Sequence, residues 1–108
     1  MSGDFTPREV AVLHERGEIE LVDVREPEEW DAGRIAGSRH VQLTELSAQA
    51  ASLPRDRPIV FVCRSGSRSA MATQAFRQAG YDAHNMTGGL LEWAAEGLPL
   101  TPEDGHVA

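Results

Sequence analysis

The chain has 108 residues, 41% of them hydrophobic and 25% charged, which is an ordinary composition for one globular domain with a single core. Its net charge of −7 argues against non-specific binding to nucleic acid or to an anionic membrane surface. The single cysteine excludes an intramolecular disulfide and suits a reducing compartment, and no signal peptide or apolar stretch of membrane-spanning length is visible, so we expect a cytoplasmic protein.

The first part of the chain predicts a helix, a strand and a second helix. Residues 6–9 (Thr-Pro-Arg-Glu) form a capping box with proline at the first helical position, and Gly17 can end the helix that follows. Residues 19–24 predict a strand. Residues 26–30 begin a short helix that we expect to stop near Gly33.

The middle of the chain predicts less regular structure before a buried strand. Residues 35–41 indicate a loop followed by a short extended piece, and Thr44 can cap a helix that runs to about residue 51. Residues 53–58 form a turn-rich connection. The apolar run over residues 59–62 then predicts a buried strand.

The last part of the chain continues the alternation of helices and strands. We expect a helix over residues 69–79 that ends at Gly80, a strand over 81–86, a tight turn at 87–89 and a closing helix over 90–96. This alternation predicts an α/β domain with a largely parallel sheet. We expect one domain over residues 1–108, with its core at about residues 6–99 and a flexible tail over 101–108.

Cys63 is the strongest candidate for a reactive side chain. It follows the strand predicted over residues 59–62, at a carboxyl end of the sheet, where ligands gather in α/β folds. The N–H groups and dipole at the start of the next helix favour anions and shift a nearby thiol towards thiolate. A lone cysteine can instead be a buried apolar residue, but the polar residues 64–68 are poor core material. We therefore predict that Cys63 is a nucleophile beside an anion site.

The residues that follow Cys63 can bind a small anion. Their backbone N–H groups can ring the sulfur if the loop curls, and Gly66 tolerates the dihedral angles that this needs. Arg64 and Arg68 can attract an anionic donor and steady its leaving group, or they can be solvated surface arginines. The predicted substrate-binding residues are Arg64, Ser65, Gly66, Ser67, Arg68 and Ser69. Ser69 can equally be a helix cap.

Segments in chain order carry a resemblance to a known family: residues 21–30, 33–38, 63–68 and 88–93. Together they resemble the signatures of the single-domain rhodaneses, the rhodanese-like sulfurtransferase family, over about residues 6–99. The chain departs from the family pattern at Arg34, where the family often has histidine, and at Gln42, where it often has proline. Both departures lie outside the cysteine loop and concern local turn geometry.

The resemblance implies a fold, a reaction and supporting residues. It implies a five-stranded parallel sheet with helices on both faces, and a persulfide formed on Cys63 from thiosulfate or another sulfane-sulfur donor. The implied partners are that small anionic donor, a thiol or cyanide acceptor, or a sulfur-relay protein. Asp23 and Arg25 lie at a neighbouring strand end as supporting residues, and the resemblance implies that Arg25 pairs with Glu29. No cofactor is implied.

Two other functions fit a cysteine loop on such a domain. A cysteine-dependent phosphatase or arsenate reductase is one, but the phosphatase signature needs five residues between cysteine and arginine, whereas four separate Cys63 from Arg68. A non-catalytic interaction or regulatory module is the other. The histidines, His14, His40, His84 and His106, show no ligand spacing, and one cysteine does not complete a usual zinc set, so we expect no metal site.

Overall fold

A single parallel sheet forms the centre of the computed structural model, which describes residues 3–108. Its four strands are β1 (Glu20–Asp23), β2 (Arg39–His40), β3 (Ile59–Val62) and β4 (Ala83–Asn85), in the spatial order β2-β1-β3-β4. All three pairings are parallel, as the alternating pattern of the sequence predicts. The carboxyl ends of the central strands β1 and β3 therefore lie side by side, which brings the residues after Asp23 next to Cys63.

Helices cover both faces of this sheet, as expected. The helices are α1 (Pro7–Glu15), α2 (Pro27–Ala32), α3 (Leu46–Gln49), α4 (Ser67–Gln78) and α5 (Gly89–Ala95), and short 3₁₀ turns flank α3. Successive residues of a strand point to opposite faces. In β3, Ile59 and Phe61 pack in the cluster that contains residues of α3 and α4, whereas Val60 and Val62 pack in the cluster that contains residues of α1 and α5.

The helix starts show which local signals decided the structure. The capping box before α1 is present in full, because Thr6 and Glu9 each accept a backbone N–H of the other. The prediction that Thr44 caps a helix is wrong: Leu43 still donates to the carbonyl of Val24 (3.0 Å), and the chain turns at once into a 3₁₀ helix that contains Thr44. Its N-cap residue is therefore Gln42.

The implied fifth strand is wrong, because the described chain forms four. The segment beside β4 is reduced to one parallel bridge between Phe5 and Met86. Phe5 donates to the carbonyl of Asn85 (3.0 Å) and accepts from Thr87 (2.9 Å), which is the start of a strand ladder. The capping box begins at the very next residue, and Pro7 has no N–H to donate, so the chain enters α1 and the ladder stops.

The C-terminal segment, residues 101–108, lies against the loop after α2. Arg34 and Thr101 exchange two backbone hydrogen bonds (2.9 and 2.7 Å), and His106 donates to the carbonyl of Ala32 (2.9 Å). Val107 packs against the core cluster on the α1 and α5 side. The sequence predicts that this segment is a flexible tail. The contacts above describe its position in the structure, and its flexibility stays a prediction. Within residues 3–108, no helix is long and apolar enough to cross a bilayer.

Candidate active site

The sulfur of Cys63 lies directly beyond β3 and accepts hydrogen bonds from the start of α4. The side chain is fully buried. Its Sγ accepts from the backbone N–H of Gly66 (3.1 Å), the backbone N–H of Ser69 (3.4 Å) and the Ser69 hydroxyl (3.3 Å). The sulfur is therefore shielded from water and yet surrounded on one side by donors, an arrangement that stabilises an anion at this position.

These donors decide the ionisation of the thiol. Burial on its own raises the pKa of Cys63, because it removes water from the thiolate. Hydrogen bonds from the Ser69 hydroxyl and from the N–H groups of Ser69, Gly66 and Ser65 outweigh burial, and together they hold the pKa of Cys63 below its ordinary value. A thiol of this kind is a stronger nucleophile at neutral pH than a free one.

The loop curls tightly because Gly66 adopts a left-handed conformation. Its φ is +102°, which a side chain would oppose, and it is the N-cap residue of α4. The helix therefore begins at Ser67, two positions before the predicted start at residue 69. Ser69 consequently lies inside the first turn and directs its hydroxyl at the sulfur instead of capping the helix. Ser65 and Ser67 are exposed at the outer rim of the loop.

The start of α5 holds the other side of the loop. The backbone N–H of Leu90 donates to the carbonyl of Cys63 (2.8 Å), and that of Leu91 donates to the carbonyl of Arg64 (3.0 Å). This approach requires glycine at position 89, because a Cβ there would lie 2.5 Å from the Arg64 oxygen and 2.6 Å from the Cys63 oxygen. The glycine pair of the sequence motif thus lets α5 bind the backbone of the loop.

The two arginines of the loop have different partners. Arg68 is part-buried and donates to both carboxylate oxygens of Glu29, at 2.7 and 2.9 Å. The hydrogen-bonded guanidinium of Arg68 holds the pKa of Glu29 at about 2. In turn, the Glu29 carboxylate and the nearby Cys63 raise the pKa of Arg68. Arg64 is exposed, and its Nε donates to the Ala108 carbonyl (2.9 Å). Arg68 is therefore held in place beside the loop by Glu29, whereas Arg64 lies at the exposed rim.

Asp23 and Arg25 form a fully buried ion pair at the end of β1. The Arg25 guanidinium donates to the Asp23 carboxylate at 2.9–3.1 Å, and it also donates to the backbone carbonyls of Glu29 (3.1 Å) and Gly33 (2.7 Å). The implied pairing of Arg25 with the Glu29 side chain is therefore not formed, because Asp23 occupies the guanidinium and Arg68 takes the Glu29 carboxylate. The buried pair fixes the backbone of α2, which carries Glu29 to Arg68.

The departure at Arg34 has a structural role. Its guanidinium lies over the ring of Trp30 (5.2 Å to the centroid) and donates to the Trp30 carbonyl (3.2 Å). His40 stacks on the same indole at 4.7 Å, and its Nε2 contacts the carbonyl of Arg25 at 2.7 Å. Gln42 donates to the hydroxyl of Thr44 (3.2 Å). Arg34 thus covers the indole beside the α2 loop.

Two residues around the loop lie outside the set of predicted site residues. The family resemblance implies Glu29 only as a partner of Arg25, although Glu29 belongs to the first family motif. Asn85, at the end of β4, is buried, and its amide donates to the carbonyl of Gly66 (3.2 Å). No local pattern distinguishes Asn85, since its partner lies 19 positions earlier in the chain.

Comparison with known proteins agrees with this geometry. The sequence model of the rhodanese-like domain matches residues 6–96, and the chain therefore belongs to the rhodanese-like family. A rhodanese-related protein from Thermoplasma volcanium has the same fold, with a TM-score of 0.84 and 30% identity over 91% of this chain and 96% of its own.

The relatives of the present chain include both single-domain and longer proteins. The thiosulfate sulfurtransferase GlpE of Pseudomonas aeruginosa is 35% identical over 90 residues, which cover 82% of this chain and 81% of that enzyme. Two Mycobacterium tuberculosis proteins are longer. The HTH-type transcriptional regulator Rv0324 is 41% identical, and the probable adenylyltransferase/sulfurtransferase MoeZ is 39% identical, each over 99 residues. The match covers 89% and 88% of this chain but only 43% and 25% of those proteins, respectively.

Proposed function

We propose that the protein is a sulfurtransferase that carries sulfane sulfur on Cys63 as a persulfide. The observation that carries the proposal is the convergence of the Gly66 and Ser69 donors on a buried, lone sulfur. These donors stabilise a thiolate before reaction, and a persulfide anion needs similar stabilisation afterwards. The similarity to a thiosulfate sulfurtransferase of matching length supports the same reaction class.

The first half-reaction is a displacement at sulfur. The Cys63 thiolate attacks the outer sulfur of thiosulfate, a new S–S bond forms, and the old S–S bond breaks with its electron pair leaving on sulfite. No proton is consumed, because the attacking and leaving groups are both anions. The product is a persulfide anion on Cys63.

The second half-reaction returns the thiolate. A cyanide ion or an acceptor thiolate attacks the outer sulfur of the persulfide, and the electron pair of the broken S–S bond returns to the Cys63 sulfur. The product is thiocyanate or a new persulfide. An acceptor can also be a cysteine of a sulfur-relay protein, because the exposed rim formed by Arg64, Ser65 and Ser67 is the surface that a protein acceptor would reach first.

The positive charge needed to attract a dianionic donor comes from Arg68, aided at the rim by Arg64. The chain as a whole carries −7, so its general field repels such a donor and the attraction has to be local. Arg68 is the better placed of the two, since its charge interacts with Cys63. We expect Arg68→Ala to weaken use of thiosulfate more than Arg64→Ala does.

The experiment is a side-by-side assay with three donors. The purified protein is incubated with thiosulfate, with a small-molecule thiol persulfide or with an aryl phosphate, and its intact mass is measured before and after cyanide. We expect Cys63 to gain one sulfur atom that cyanide removes as thiocyanate, and Cys63→Ser to gain none. Brisk aryl phosphate hydrolysis would support the phosphatase alternative. A folded protein inert to every donor would support an interaction module.

A further inference from the structure

Asn85 lies where the last strand of the sheet meets the cysteine loop. It ends β4, the residue is 8% exposed, and its Nδ2 donates to the carbonyl of Gly66 at 3.2 Å. The backbone of Asn85 is fixed on its outer edge, because its N–H donates to Asp4 (3.0 Å) and its carbonyl accepts from Phe5 (3.0 Å). The amide therefore extends from a rigid strand end to the loop.

The carbonyl that Asn85 binds belongs to the residue that bends the loop. Gly66 has a φ of +102°, and its own N–H donates to the Cys63 sulfur at 3.1 Å. The same carbonyl accepts the first helical hydrogen bond of α4, from Ala70 at 3.1 Å. Two donors thus hold the Gly66 carbonyl, one from the helix and one from β4. A glycine in an open loop has many conformations available, so these bonds select the one that presents its N–H to sulfur.

We infer that Asn85 is a positioning residue of this loop: its side-chain amide holds Gly66 in the conformation that keeps the Gly66 N–H directed at the Cys63 sulfur. The inference rests on the proposed function, in which that sulfur is the carrier.

The unpaired oxygen of the Asn85 side-chain amide supports a role of this residue beyond packing. Asn85 Oδ1 is buried and has no hydrogen-bond partner among residues 3–108. A buried polar atom without a partner is costly, and an apolar side chain of the same size would avoid that cost. The orientation of the amide follows from chemistry, because turning it over would place Oδ1 against the Gly66 carbonyl, acceptor against acceptor. The Nδ2 bond to the loop is what asparagine supplies here and leucine does not.

The test uses Asn85→Leu, which keeps the size of the side chain and removes both the donor and the unpaired oxygen. Because Cys63 is the only cysteine, the pH dependence of alkylation by iodoacetamide reports the ionisation of this one thiol, whereas a displacement equal at every pH would indicate altered access and would contradict the inference. We expect alkylation at neutral pH to slow by about threefold to tenfold, with the rates of the variant and the unmodified protein converging at alkaline pH, where the thiol of each is ionised. The thermal unfolding midpoint should change little.

Thr87→Ala is the matched control. Thr87 lies on the same edge of the sheet, and its hydroxyl contacts the carbonyl of Phe5 (3.3 Å) rather than the loop. Its alkylation profile should match that of the unmodified protein. Asn85→Asp provides a second variant of nearly unchanged shape in case Asn85→Leu does not fold; its carboxylate faces the Gly66 carbonyl and should also slow alkylation at neutral pH.

An alkylation profile of folded Asn85→Leu or Asn85→Asp that coincides with that of the unmodified protein overturns the inference, whether or not sulfur transfer is observed. Conversely, an unmodified protein that never gains sulfur from any donor overturns the proposed function and leaves the alkylation result in place. The role of Asn85 and the proposed sulfur transfer can therefore be contradicted independently of each other. The expected outcome is slower alkylation in both variants together with slower persulfide formation from thiosulfate.

Discussion

The carboxylate of Glu29 receives two hydrogen bonds from the guanidinium of Arg68, at 2.7 and 2.9 Å, across 39 positions of sequence. The pair joins α2 to the first turn of α4, directly beside the cysteine loop. Arg68 is thereby fixed in place, but its charge is already matched by an internal anion. A dianionic donor has to compete with Glu29 for the same guanidinium.

Removing that competition should strengthen donor binding. In Glu29→Gln the side chain can still accept the N–H of Glu26 that caps α2, while the charge facing Arg68 is lost. We expect the KM for thiosulfate to fall by about threefold to tenfold, with a smaller change in kcat, and the effect to shrink as salt is raised. Steady-state kinetics over a series of ionic strengths measure this.

The control is Glu28→Gln, which makes the same change in net charge at an exposed position of the same helix. If only the general field matters, both variants lower KM equally, and the competition between Glu29 and the donor is contradicted. We expect Glu28→Gln to change KM by less than about twofold, since an exposed charge is well screened.

The Glu29–Arg68 pair should also appear in the acid stability of the protein. The pKa of Glu29 lies at about 2 in the fold, against an ordinary value of 4.5, because Arg68 stabilises the carboxylate. A carboxyl group whose pKa is lowered by folding stabilises the fold above its ordinary pKa and loses that contribution as the pH falls. Chemical denaturation of the unmodified protein and of Glu29→Gln should differ by about 1 kcal/mol at neutral pH, since both side chains keep some contact with water. The difference should close between pH 4.5 and about 2; a difference independent of pH would contradict the prediction.

Local signals in the sequence were sufficient for the central features of the fold. Four adjacent apolar residues between a turn-rich segment and a polar loop define β3 with the predicted bounds, Ile59–Val62. The capping box fixes the start of α1, because its proline and its reciprocal hydrogen bonds act within four residues. The position of Cys63 at a carboxyl strand end follows from these elements alone.

The contacts around the loop could not be predicted in the same way. The partners of Arg68, Gly66 and the Cys63 carbonyl lie 39, 19 and 27 positions away, and they meet only because the strand order is β2-β1-β3-β4. The family resemblance implied Glu29 as the partner of Arg25, but the buried guanidinium pairs with the nearer Asp23 carboxylate. The expected fifth strand does not form for a local reason, because Pro7 ends the ladder of hydrogen bonds at Phe5.

The hydroxyl of Ser69 should make a measurable contribution to the reactivity of Cys63. It donates to the sulfur at 3.3 Å, and this hydrogen bond lowers the pKa of the thiol more than any of the others does. Ser69→Ala should therefore raise the pKa of Cys63. Alkylation by iodoacetamide should slow by about threefold to tenfold at neutral pH and return to the unmodified rate at alkaline pH, where the thiol is ionised in either case.

Ser47→Ala is the control for Ser69→Ala, because Ser47 is exposed on α3. It makes the same chemical change on a different helix, at an exposed position, and its alkylation profile should coincide with that of the unmodified protein. A Ser69→Ala profile displaced equally at every pH would indicate altered access to the sulfur instead of altered ionisation, and would contradict the assigned role of the hydroxyl.

The close approach of α5 to the cysteine loop can be tested at Gly89. Alanine there meets two obstacles: a φ of +61°, and a Cβ that would lie 2.5 and 2.6 Å from the carbonyl oxygens of Arg64 and Cys63. Gly97 has a similar φ of +76° but nothing within 4 Å of an added Cβ, so Gly97→Ala isolates the backbone strain. We expect Gly97→Ala to lower the free energy of unfolding by about 1 kcal/mol, and Gly89→Ala by about 2 kcal/mol more because the loop has to move. Sulfur transfer, assayed where both variants are still folded, should fall sharply in Gly89→Ala alone. Equal losses of stability, with activity retained in both variants, would show that α5 does not hold the loop in its working position.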